Sequence, residues 1–167
     1  LKLGSRNVGP GILVSPRQVI STAMSSERAR PPTSIAGGKF DITKKLGAGC
    51  FGEVYRGHDT TTREEVAVKF EDTQVRSPQL EHEAEILRNL SGQKGVQGFV
   101  ECFFYGQEGR FNCMVIELLG RSLEDRMQHC RGRFNVKSTV LVAEQCMRRI
   151  EYLHSKCIIH RDIKPEN

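Results

Sequence analysis

Three glycines, Gly47, Gly49 and Gly52, lie among short stretches in which apolar and polar residues alternate. Such alternation has the period of a β-strand, and here it is bounded by glycine or polar turn residues. The alternating stretches are residues 40–47, 51–58 and 64–71. A dinucleotide-binding fold would need a helix directly after the third glycine, but Val54 and Tyr55 continue a strand pattern. The segment is therefore predicted to form three consecutive antiparallel strands, with the glycines in the first hairpin.

The next elements are predicted from their capping and turn residues. Ser77 and Pro78 are an N-cap residue and a proline at the first helical position, which predicts a helix over residues 79–90 that ends at Ser91-Gly92. The remaining predicted elements are strands at 99–105 and 110–117 around a Glu108-Gly109 turn, a short helix after a capping-box-like Ser122, a helix over 136–156, and a brief strand at 157–159. Antiparallel strands followed by helices favour an α+β fold of two lobes over a doubly wound parallel sheet.

The predicted helix over 136–156 carries an apolar stripe. Its members recur at spacings of three and four residues: Val140, Ala143, Met147, Ile150 and Leu153. Leu141, Val142 and Cys146 widen this apolar surface beyond one narrow stripe. A helix with so much apolar surface is expected in the middle of a lobe.

Charge is distributed unevenly along the chain. Residues 1–39 hold six basic residues and one acidic residue, Glu27, and so account for the whole formal net charge of +5. The neutral remainder has no net phosphate-attracting field, so composition does not indicate nucleic-acid binding. Residues 1–38 are rich in Gly, Pro, Ser and Arg and are predicted to be a flexible basic extension, with a single domain over residues 39–167. The chain starts at Leu1, and Met24 is the candidate initiator.

Six cysteines are spread through the chain without the paired C-x-x-C spacing of metal ligands. This usage is typical of reduced thiols in an intracellular protein, and we expect the cytoplasm, with the nucleus as a second compartment. No apolar run approaches the roughly 20 residues of a membrane-spanning helix.

Lys69 ends the apolar run Val66-Ala67-Val68. A lysine in an apolar strand is costly unless its ammonium group has partners. In the second strand after a glycine loop, such a lysine can reach the α- and β-phosphates of a nucleotide if an acidic residue holds it. Glu81, Glu83 and Glu85 in the following helix are all candidates for that role, and their positions alone do not rank them. An edge lysine facing water is the plain structural alternative.

The most specific motif is the last eight residues, His160-Arg161-Asp162-Ile163-Lys164-Pro165-Glu166-Asn167. Its five chemistry-bearing residues would match by chance about once in a few million positions. The residue types suit phosphoryl transfer: Asp162 to accept the proton of a substrate hydroxyl, Lys164 to neutralise charge on the γ-phosphate, and Asn167 to bind a metal ion.

These three motifs, in this order, resemble the eukaryotic protein-kinase fold. Lysine two places after the aspartate is the serine/threonine pattern. Within that fold the chain resembles the casein kinase 1 family from about Gly38 to Asn167. The residues that carry this resemblance are Pro78-Gln79-Leu80, Met114-Val115-Ile116-Glu117-Leu118-Leu119-Gly120, Ser122-Leu123-Glu124-Asp125 and Arg149-Ile150-Glu151-Tyr152-Leu153-His154-Ser155-Lys156.

The resemblance implies a bilobal kinase fold with a five-stranded antiparallel N-terminal lobe, one helix in that lobe, and the first helices of the C-terminal lobe. It selects Glu83 as the partner of Lys69 and makes Glu117–Leu119 the hinge that holds adenine, with Ile116 as gatekeeper. It implies ATP and Mg²⁺ as co-substrate and metal, with Asn167 as a metal ligand. The implied ATP-binding residues are Leu46, Gly47, Ala48, Gly49, Cys50, Phe51, Gly52, Glu53, Val54, Ala67, Lys69, Ile116, Glu117 and Leu119.

The expected function is therefore transfer of the γ-phosphate of ATP to serine or threonine of protein substrates. Asp162, Lys164, Lys69 and Glu83 are the expected catalytic residues. In kinases the Asp-Phe-Gly metal-binding segment follows the His-Arg-Asp motif, and these 167 residues do not include it. We therefore expect the fold to be truncated within its C-terminal lobe. The alternative is a catalytically silent fragment that binds a nucleotide or a partner.

Overall fold

A computed structural model describes residues 30–49, 52–91 and 98–167. The predicted extension up to residue 29, including Met24, lies outside the described residues, as do Cys50, Phe51 and Gly92. The chain divides into two compact units, one ending at Arg121 and the other beginning at Ser122.

The first unit is built on one antiparallel sheet with a single helix. The strands lie in the order β1-β2-β3-β4-β6-β5, and every neighbouring pair is antiparallel. Their bounds are Ser34–Ile35 (β1), Phe40–Gly49 (β2), Gly52–Asp59 (β3), Glu65–Asp72 (β4), Cys102–Glu108 (β5) and Phe111–Glu117 (β6), and helix α1 spans Leu80–Ser91 between β4 and β5. The predicted succession of three strands, a helix and two strands is confirmed.

The side chains of strand β4 alternate between the two faces of this sheet. Val66, Val68 and Phe70 alternate along it and are at most 2% exposed, in one apolar cluster with Phe40 and Val115. The Phe70 ring makes edge contacts with Tyr55 and Phe111. Full burial of a side chain of this size stabilises a fold by about 1.5–3 kcal/mol. The opposite face carries a smaller cluster in which α1 packs against β6: Leu80, Ala84 and Met114.

The structure adds a sixth strand to the five that the sequence predicts for this sheet. Ser34 and Ile35 form β1, paired with β2, and Ile35 is 1% exposed in the core beside Phe40. The Ala36 amide donates a hydrogen bond to the Glu108 carboxylate, 2.8 Å away. The predicted boundary at residue 38 therefore falls inside the folded unit. A single buried isoleucine has no periodicity along the chain, so the pattern of neighbouring residues did not reveal it.

Helix α1 begins one residue later than predicted, and a different residue caps it. Ser77 is exposed and lies outside the helix, which begins at Leu80. The backbone N–H groups of Gln79 and Leu80 instead donate to the carboxylate of Glu71 on β4, at 2.8 and 3.3 Å. The cap comes from a neighbouring strand, which explains why the local sequence around Pro78 did not show it.

The second unit contains two helices, α2 (Leu123–His129) and α3 (Val136–Ser155). The predicted capping box is present at α2, where Ser122 and Asp125 exchange side-chain and backbone hydrogen bonds. Asn135 caps α3 by accepting from the Ser138 amide at 2.8 Å. Among the residues of α3 predicted to form its apolar stripe, Leu153 alone is buried, and Val140 and Met147 are 59% and 69% exposed.

The brief strand predicted at 157–159 is wrong. Cys157 has a left-handed backbone (φ 59°), its N–H donates to His154 O, and the Ile158 N–H donates to Leu153 O. These two bonds satisfy the last carbonyl groups of α3 in a Schellman-type helix end. Because the cap uses these N–H groups, they are not available to a β-ladder.

None of the helices in the described part of the chain is long and apolar enough to cross a membrane.

Candidate active site

The glycine hairpin joins β2 to β3, with Gly49 opposite Gly52 at its tip. A Cβ on Gly52 would lie 1.9 Å from the Phe70 carbonyl oxygen, and its φ of +132° is unfavourable for other residues. A Cβ on Gly47 would meet nothing within 4 Å. Gly52 is thus required by the close approach of β4, while Gly47 leaves open space beside the backbone where a phosphate can approach.

The sheet register places the predicted nucleotide-contacting side chains on one face. Val54 pairs with Lys69, and Ala67 pairs with Ile116. Directly paired residues of antiparallel strands project to the same face, as do residues two apart along β4. These four residues therefore share the face on which α1 packs, opposite the face that buries Phe70.

Lys69 is held by a carboxylate of α1. Its Nζ lies 2.5 Å from Oε2 of Glu83, and the lysine side chain is 21% exposed. Of the three acids left open by spacing, Glu83 is the one that pairs with Lys69. Glu81 is exposed, and Glu85 lies near His82. The Lys69–Glu83 pair fixes the ammonium group on the face shared with Val54 and Ala67.

The remaining predicted adenine-site residues lie at the strand ends. Leu46 is 49% exposed beside an irregularity in the β2–β3 register, between Lys45 and Gly47. Strand β6 ends at Glu117, and Leu119 in the following segment is 60% exposed. Ala48 and Glu53 pair across the hairpin, where Glu53 contacts Lys45 and accepts a hydrogen bond from Tyr55. Cys50 and Phe51 lie outside the described residues.

In the second unit, Asp162, Lys164 and Asn167 converge within the last loop. Lys164 Nζ lies 2.8 Å from Asp162 Oδ2. Asn167 Nδ2 donates to the Asp162 backbone oxygen at 2.7 Å and to its Oδ2 at 3.1 Å. The three predicted catalytic and metal-binding residues of this motif therefore contact one another directly.

This loop is anchored to the start of α2. The Glu124 N–H, in the first turn of the helix, donates to Pro165 O at 2.9 Å. Arg161 adopts a left-handed backbone (φ 64°), and the Asp162 N–H donates to His160 Nδ1 at 3.3 Å. The loop is thus tied to α2 at Pro165, and the Asp162–His160 hydrogen bond holds the His-Arg-Asp string internally.

Hydrogen bonds from Lys164 and then Asn167 hold the pKa of Asp162 below its ordinary value. The same contact with Asp162 raises the pKa of Lys164. Asp162 is therefore ionised, and Lys164 charged, throughout the neutral range. An ionised carboxylate can accept a proton, and a charged ammonium group can stabilise a developing anion.

Replacement of Lys164 by methionine is expected to raise the pKa of Asp162 towards its ordinary value, because the strongest hydrogen bond to the carboxylate is lost. Carbon-13 NMR titration of the Asp162 carboxyl group measures this shift. Lys137→Met, an exposed lysine on α3, is the matched control and should leave the titration unchanged. An Asp162 titration at the same pH in wild type and Lys164→Met would contradict this assignment.

Sequence reasoning missed the buried carboxylate of Glu71, which caps α1 and lies two residues after Lys69. The sequence did contain a signal for Glu71, since it directly follows the largely apolar run Val66–Phe70. A charged residue in such a place requires polar partners, just as Lys69 does.

A glycine hairpin, a lysine–glutamate pair and a His-Arg-Asp loop are the parts that enzymes of phosphoryl transfer combine. The sequence model of the protein kinase domain family matches residues 40–167. This match covers most of the chain, which therefore belongs to the protein kinase domain family.

Proposed function

We propose that the protein transfers the γ-phosphate of ATP to serine or threonine hydroxyls of protein substrates, as a casein kinase 1-like kinase. The observation that carries the proposal is the loop in which the ionised Asp162 lies 2.8 Å from Lys164. Lysine at this position is typical of serine/threonine kinases. Family membership supports the reaction class, and the shorter motifs quoted above support the casein kinase 1 resemblance.

The residues of the sheet suit a nucleotide. The open backbone beside Gly47 admits phosphate oxygens without a Cβ in the way. Lys69 supplies positive charge beside Val54 on the same face, and Glu83 holds it there. Ala67 and Ile116 are an apolar cross-strand pair on that face, suited to the adenine ring.

Asn167 suits a hard cation. Both of its side-chain hydrogen bonds to Asp162 use Nδ2, so Oδ1 is the atom that can face a metal ion. Mg²⁺ prefers oxygen ligands, and with ATP it would neutralise charge on the phosphates.

The chemical role of the loop follows from its protonation states. Asp162 accepts the proton of the substrate hydroxyl as that oxygen forms a bond to the γ-phosphorus. The bond from the γ-phosphorus to the β–γ bridging oxygen breaks, and ADP leaves with the electron pair. Lys164 stabilises the negative charge on the transferred group, so positioning and charge neutralisation supply the catalysis.

The test is phosphotransfer by the longest product of the reading frame that contains these residues. Casein and three peptides that differ only in a serine, threonine or tyrosine acceptor beside acidic residues serve as substrates. We expect turnover on casein and on the serine and threonine peptides, in preference to tyrosine. Transfer to tyrosine alone would contradict the assignment. Nucleotide binding without turnover would favour the alternative, a silent binding fragment.

A further inference from the structure

Glu71 is a buried acidic residue that accepts hydrogen bonds from the start of α1. It is 2% exposed at the end of β4. Its Oε1 accepts from the N–H groups of Gln79 and Leu80 at 2.8 and 3.3 Å, and its Oε2 lies 3.4 Å from Asn112 Nδ2. A buried carboxylate needs such donors, and the N-terminus of a helix offers N–H groups together with a partial positive charge.

The spacing of Glu71 matches that of Lys69. The two residues lie on the same face of β4, about 6.8 Å apart along an antiparallel strand. Their partners are Gln79, directly before α1, and Glu83 within it, which lie four residues apart, about 6 Å along the helix axis. The strand therefore holds the helix at two successive points, first by its N-terminal N–H groups and then by its glutamate.

Apolar contacts and polar contacts join α1 to different strands. Leu80, Ala84 and Met114 form the packed cluster, which joins α1 to β6. Sliding or rotation of a helix on an apolar surface changes burial gradually, whereas hydrogen bonds are lost steeply with distance and angle. The contacts to β4 come from Glu71 and Lys69.

We propose that Glu71 is a positioning residue whose side-chain oxygen fixes the N-terminal end of α1 and so places Glu83 beside Lys69. This role rests on the proposed kinase function, because the Lys69–Glu83 pair is what Glu71 serves. Loss of the cap would free the start of the helix and weaken the pair, although Glu71 itself does not touch the substrate.

Amide hydrogen exchange on the 167-residue chain tests the role without any need for activity. In Glu71→Ala, amides of residues 79–84 should exchange faster by about fivefold or more, as for a lost helix cap. In Glu71→Asp the charge stays but the shorter side chain withdraws its oxygens, and the same increase is expected. Glu71→Gln keeps an acceptor oxygen at the same reach and should restore most of the protection.

Glu81→Ala is the matched control, because it removes an exposed carboxylate from the first turn of the same helix. Its exchange should resemble wild type. Wild-type exchange in α1 of Glu71→Asp would overturn the proposal, and so would a Glu71→Gln chain no better protected than Glu71→Asp. Equally faster amide exchange in β4, β6 and α1 of the Glu71 variants would also overturn it, because the substitution would then have lowered the stability of the whole unit. If Glu71→Ala does not fold, the Asp and Gln variants decide the question.

A kinetic cycle on the longest product of the reading frame tests whether Glu71 acts through Glu83. Glu71→Asp should lower kcat/KM in the wild-type background and have little further effect in Glu83→Gln, because both changes remove the same pair. If the fold-losses in kcat/KM of Glu71→Asp and Glu83→Gln multiply in the double variant, Glu71 does not act through Glu83. If the wild-type product shows no phosphotransfer, the proposed function fails, and hydrogen exchange still decides the positioning role.

Discussion

Replacing Lys69 or Asp162 by alanine is expected to abolish most phosphotransfer. Lys69, held 2.5 Å from Glu83, would orient the phosphates, and Asp162 would accept the hydroxyl proton. Loss of a preorganised charged group at a reacting centre raises the barrier by about 3 kcal/mol or more, which slows the reaction more than about a hundredfold. The measurement is kcat/KM with casein on the longest product of the reading frame.

Matched variants separate these roles from a general loss of charge. Lys44→Ala removes an exposed lysine of β2, and Glu151→Ala removes an exposed acid of α3. Both should retain near wild-type rates. Asp162→Asn keeps the shape but cannot accept the proton, so it should be nearly as slow as Asp162→Ala. Casein turnover by Lys69→Ala or Asp162→Ala comparable to wild type would remove the proposed mechanism.

Ile35→Ala is expected to destabilise the sheet unit by about 2–5 kcal/mol, the usual loss for a fully buried isoleucine. Ile35 is 1% exposed and packs in the same cluster as Phe40 and Val68. Its truncation leaves a cavity and removes the apolar anchor of β1. Urea unfolding followed by far-ultraviolet circular dichroism measures the change.

Two aliphatic controls make this result specific. Val75→Ala shortens a side chain that is 41% exposed, so its effect should stay within about 0.5 kcal/mol. Ile35→Val removes one methyl group and should cost about 0.5–1.5 kcal/mol. If Ile35→Ala unfolds at the urea concentration of wild type, β1 does not contribute to the core as the structure indicates.

Local patterns were sufficient for most of the sheet. Strands β2, β3, β4 and β6 each show period-two alternation or a short apolar run, and the structure places them within a few residues of the predicted bounds. Local capping also predicted α2, because Ser122 and Asp125 complete their box within one helical turn. In these elements the signal that predicts the element, a period of two or a capping box, lies within a short window, although the strands themselves are stabilised by pairing with distant strands.

Residue type and spacing identified the candidate site, but they did not decide which acidic residue pairs with Lys69. Spacing left Glu81, Glu83 and Glu85 as equal partners for Lys69. Resemblance to a family selected Glu83, and the contact at 2.5 Å agrees with that choice. The sharing of one face by Val54 and Ala67 depends on strand register, which is set by pairing between strands.

The sequence by itself determined the antiparallel strands, the protein kinase domain family and the residues of the His-Arg-Asp loop, since periodicity and a dense motif are local properties. Tertiary structure alone decided that Ile35 belongs to the core and that Glu71, not Ser77, caps α1. In each case the deciding free energy comes from burial or hydrogen bonding to groups that the folded chain brings together, and that proximity is absent from any short window of sequence.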